Sequence, residues 1–105
     1  LSTIQIRNAN TFALIRTLRG HRLRTTALAF DPQGRHLVSG GVDSFIRFWR
    51  LSDGAEVAAY SEETGNEWAT FGSGVPSIVF PPDGRRFYYG REDAGVVAAR
   101  HPFPN

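Results

Sequence analysis

Cysteine, methionine and lysine are all missing from this chain. Without cysteine, neither a disulfide nor a thiolate metal site can form, and the redox compartment stays open. Without methionine, Leu1 is not an encoded start, so the chain reads as processed or as a piece of something longer. Without lysine, all 12 basic residues are arginine. Because the net charge is only +2, this reads as a compositional habit rather than an adaptation to nucleic acid, and the pI near 9.7 follows from the high pKa of arginine. Also missing are a signal-peptide pattern and any apolar run long enough to span a bilayer, so the expectation is a cytoplasmic protein that does not enter a membrane.

What is present is globular in character: 41% of the 105 residues are apolar and 12% are aromatic, enough for one small domain with a modest core. The strongest internal signal is repetition. "AFDPQGRHLVSGGVD" (29–43) lies over "VFPPDGRRFYYGRED" (79–93) at an offset of 50, with Phe30, Pro32, Gly34, Arg35, Gly40 and Asp43 meeting Phe80, Pro82, Gly84, Arg85, Gly90 and Asp93. A second register, offset 42, places "TIQIRNANTFALIRTL" on "FIRFWRLSDGAEVAAY". The two registers disagree by 8 residues, which puts an insertion in "SEETGNEWATFGSG", 61–74.

Each unit reads as all β. Thr26–Phe30, His36–Gly40, Phe45–Trp49 and Glu56–Tyr60 are short runs rich in β-branched, aromatic or aliphatic residues. "DPQG", "PPDG" and "LSDG" supply tight turns between runs, and no stretch sustains a helical period. Four strands in about 42 residues is the arithmetic of a propeller blade.

The segment "GHRLRTTALAFDPQGRHLVSGGVDSFIRFWRLSDG" resembles one complete repeat of the WD-repeat β-propeller family. It carries the Gly-His pair at Gly20 and His21, the Pro-x-Gly turn, Ser-Gly-x-x-Asp and Ile-Arg-x-Trp. The family's aspartate after the tryptophan is Arg50 here. The resemblance implies an all-β partial propeller of about two and a half four-stranded antiparallel blades. Residues 1–18 would be the last two strands of a first blade, 19–60 a complete blade, 61–74 an inserted loop and 75–105 an incomplete terminal blade. It also implies a buried hydrogen-bonded chain through His21, Ser39, Asp43 and Trp49 that ties outer to inner strands. The chemistry suits burial, because an imidazole can bridge a carboxylate and a hydroxyl while an indole N–H needs an acceptor.

Ser39, His21 and Asp43 are also the residue types of a hydrolase triad, but Ser39 sits inside a predicted strand with no nucleophile elbow around it. Glu62 and Glu63 would point to opposite faces if extended, the three histidines show no ligand spacing, and there is no phosphate-binding glycine loop. No catalytic residue, metal or cofactor is therefore assigned, and the chain is not expected to be an enzyme.

A chain with two strands of one blade, four of the next and three of the last cannot close a ring of about 4 to 8 blades. It reads as the C-terminal end of a longer propeller, completed by the remaining blades or by self-association. The function implied by the resemblance is a scaffold that binds a protein or peptide through the loops joining strands d to a and b to c. The candidate partner-binding residues are Trp68 and Phe71 in the insertion, with Arg22, Arg24 and Arg91 on neighbouring loops. The alternative is an accessory propeller of a larger bacterial signalling or enzymatic protein. Nucleic acid is disfavoured because no aromatic interleaves the arginines of "IRTLRGHRLR".

Overall fold

The computed structural model describes residues 3–21, 24–42, 45–61, 75, 77–91 and 95–103. Nine strands account for the regular structure of these residues: β1 (Thr3–Arg7), β2 (Leu14–Arg19), β3 (Thr25–Phe30), β4 (His36–Gly41), β5 (Phe45–Arg50), β6 (Glu56–Ser61), β7 (Ile78–Val79), β8 (Arg86–Arg91) and β9 (Gly95–Arg100). They form three antiparallel sheets in simple meander order, β1-β2, β3-β4-β5-β6 and β7-β8-β9. The four strands expected in the middle unit are all found, each extended by one residue at one end. β2 runs to Arg19, one residue past the expected end of the first unit.

The period-2 alternation of side chains decides how the sheets stack. In the middle blade, Leu37 of β4 pairs with Trp49 of β5, and both turn toward Ile4 and Leu18 of the first blade. Their alternates Val38, Ile46 and Phe48 turn the other way, onto Val75, Ile78, Phe87 and Tyr89 of the third. β4 is therefore covered on both sides and buried at all six positions. Phe48 and Phe87 meet edge to face with centroids 5.4 Å apart, a favoured aromatic geometry. Gly40 permits the close approach of the third blade, since a Cβ there would lie 2.6 Å from Cγ1 of Val75.

All three blades stack in the same direction, so their ends make two faces. At one end are the a–b and c–d turns. The first two a–b turns touch, the side-chain amide of Gln33 lying against Gly84. At the other end are the d–a and b–c loops. Along the edge strand β1 runs a cleft of about 260 Å³ that Ile4 and Ile6 share with Leu28 and Phe30 of β3, the latter two more than half exposed.

Candidate functional site: two buried polar clusters that hold the blades

The expected network is present for three of its four members. Ser39 points to the Trp49 side of the middle sheet, where its Oγ accepts the indole Nε1–H at 2.8 Å and lies 2.7 Å from Nε2 of His21. A hydroxyl can accept from the indole and donate its own proton to the imidazole, so one oxygen serves both neighbours. His21, Ser39 and Trp49 are each at most 2% exposed. Gly20 is required beside them, because a Cβ would come within 2.8 Å of the indole Cη2. The result fastens the start of the d–a loop to the two central strands. Asp43 lies outside the described residues. Ser39 has no exposed surface, which leaves no path for a substrate to its hydroxyl.

The candidate partner-binding residues are only partly placed. Arg24 is exposed just before β3, and its carbonyl accepts the Val42 N–H at 2.9 Å, which joins the d–a loop to the b–c loop. Arg91 is the last residue of β8. Arg22, Trp68 and Phe71 lie outside the described residues.

A second cluster was not anticipated. Asp31, in the first a–b turn, is buried, and its carboxylate collects four donors. Oδ1 accepts the backbone N–H groups of Arg35 (2.9 Å) and His36 (3.1 Å), while Oδ2 takes Nδ1 of His36 (2.9 Å) and Nε2 of His101 (3.1 Å). Burial alone would push the Asp31 carboxyl up. The hydrogen bonds from the His101 and His36 rings and from the His36 and Arg35 backbone outweigh it and hold the group below the usual carboxylate range. The last donor comes from beyond β9, so the carboxylate bridges the second and third blades. Aromatic rings seal it: Phe103 stacks on His36 at 5.3 Å, and His101 sits 5.1 Å from Phe48 and 5.7 Å from Phe80.

Asp31, His36 and His101 bring one ligand atom each to within 4.8 Å of one another, the chemistry of a metal site. The hydrogen-bond pattern argues against that use. Nδ1 of His101 accepts the Phe103 N–H at 2.8 Å, so the ring proton must be on Nε2, pointing at the carboxylate. A metal on Nε2 would have to displace that proton with no place for it on Nδ1. The cluster is a closed lock between blades. Sequence spacing could not reveal it, since Asp31 and His101 are 70 residues apart.

Comparison with known proteins agrees with this architecture. Residues 12–50 match the family described as "WD domain, G-beta repeat". That segment contains β2 together with β3, β4 and β5, so the sequence repeat takes the outer strand of one blade and the inner three of the next. A WD repeat-containing protein of Synechocystis is 29% identical over 90 residues, covering 85% of this chain and 24% of that protein. The U3 small nucleolar RNA-associated protein 21 of Saccharomyces cerevisiae is 44% identical over 52 residues, half of this chain and 6% of that protein. The chain thus spans about a quarter or less of these relatives' length. Among solved structures, the β-propeller domain of Cps50 (Swd1) from Myceliophteria thermophila superposes with a TM-score of 0.77 at 21% identity, over 98% of this chain and 30% of that one.

Proposed function

The chain is part of a WD-repeat β-propeller, and from that premise we propose that it is a scaffold segment that docks a partner protein or peptide on its loop face. The observation that carries this reading is the His21–Ser39–Trp49 cluster, which pins the start of the d–a loop to the sheet. A preorganised loop loses little entropy on binding, which is what a docking surface needs. Arg24 stands on that loop, Arg22, Trp68 and Phe71 belong to the same or adjoining loops by chain position, and Arg91, expected on a loop, instead ends strand β8. On this reading the cleft beside β1 is closed in the whole protein by the remaining blades.

The test is site-specific photo-crosslinking in the full-length protein. A photoreactive residue at position 24 or 68 should capture a discrete partner, while one at position 53, on the opposite face, should not. Capture at 53 alone would sink the proposal. Trp68→Ala sharpens it: weaker partner binding with an unchanged melting midpoint supports an anchoring role, whereas a lowered midpoint means that the ring packs on its own blade.

A further inference from the structure

The turn face carries chemistry of its own. The offset-50 repeat puts Arg35 and Arg85 at the ends of successive a–b turns, and Arg50 and Arg100 at the ends of successive third strands. The backbone shows that the positions are equivalent: Leu51 N–H donates to the Arg35 carbonyl at 2.9 Å, and His101 N–H to the Arg85 carbonyl at 2.9 Å. Each turn arginine is thus stitched to the residue that follows a strand-end arginine. These four and the adjacent Arg86 are exposed. Among the described residues the exposed carboxylates beside them include Asp53, which takes Arg50 at 2.9 Å, and Asp83, which caps the Arg85 N–H at 3.1 Å. Phe103, 41% exposed, lies on the same face and extends the ring stack begun by His36.

We propose that this face binds single-stranded nucleic acid. Arginines spread over two neighbouring blades suit a polymer of regularly spaced phosphates. A single phosphoryl group would instead need guanidiniums that converge on one point. An exposed ring backed by a second one offers a base the stacking platform that single-strand binders use. The net charge of +2 is an average over the whole chain and does not describe this face, and the arginines of 16–24 have no such ring beside them in the sequence.

The experiment is fluorescence anisotropy of a labelled thymidine 20-mer and a labelled uridine 20-mer with the full-length protein, from 50 to 200 mM NaCl. Binding should weaken with salt, each phosphate contact adding about 0.7 to the slope of log K against log salt. Arg35→Gln combined with Arg85→Gln should lower that slope by about 1.4, and Phe103→Ala should weaken binding roughly 5- to 150-fold. A melting curve of each variant keeps loss of fold apart from loss of contact. No binding at 50 mM NaCl, an unchanged slope in the double variant, or equal competition by a 20-base-pair duplex or a multiply phosphorylated peptide would each overturn the proposal.

Discussion

Removing one oxygen tests the buried network most directly. In Ser39→Ala the Trp49 indole N–H loses its acceptor at 2.8 Å, and Nε2 of His21 loses its neighbour at 2.7 Å. All three side chains are at most 2% exposed, so water cannot replace the hydroxyl without opening the blade. An unsatisfied buried polar group costs about 1–3 kcal/mol, and two that share one cause should together cost about 3 kcal/mol. The same substitution in a Trp49→Phe background removes only the histidine's bond, so its cost should fall by about 1–2 kcal/mol. Urea denaturation of wild type, both single variants and the double variant closes the cycle. Additivity within about 0.3 kcal/mol, or a Ser39→Ala loss below about 0.5 kcal/mol, would refute the view that the hydroxyl holds the indole in place.

The Asp31 lock makes two further expectations. Asp31→Asn sets an amide where two ring N–H groups donate, and should cost about 2–4 kcal/mol at pH 7 in a chemical melt. Because the folded pKa of Asp31 lies below its ordinary value of 3.8, its contribution is present above that pH and is lost as the pH falls through the lowered value; the acid limb of the stability curve should flatten in the Asn variant. Gly40→Ala should cost about 1–3 kcal/mol by driving a methyl into Val75, visible as faster hydrogen exchange in β4 and β7. Asp53, drawn down to about 2 mainly by the Arg50 hydrogen bond, is about half exposed in a surface ion pair, and Asp53→Ala should leave the urea midpoint unchanged within error.

The strands were legible because their punctuation is chemical: Pro-x-Gly turns and alternating apolar positions leave few other arrangements for 25–60. Ser39, Trp49 and His21 were legible only through the family resemblance, since nothing in their spacing says that a histidine 18 residues before a serine will reach it. β4 shows the limit of patterning, for "HLVSGG" has no polar face because neither of its faces meets solvent. His36 and His101 read as unrelated residues, and only the stacking of blades brings them to one carboxylate. The turn-face arginines were overlooked for a similar reason: they are single residues in separate turns, and become a row only when successive blades lie side by side.

The distribution of donors around Asp31 bears on how such a molecule is made. Three of its four hydrogen bonds come from Arg35 and His36, within five residues of it, and the fourth arrives with His101. On the ribosome the middle blade emerges well before the residues of the next one. A carboxylate already held by its own turn keeps that hairpin in shape through the delay, and the incoming histidine finds a finished socket. Vectorial synthesis and blade-by-blade docking are thereby compatible at a buried charge that two blades share.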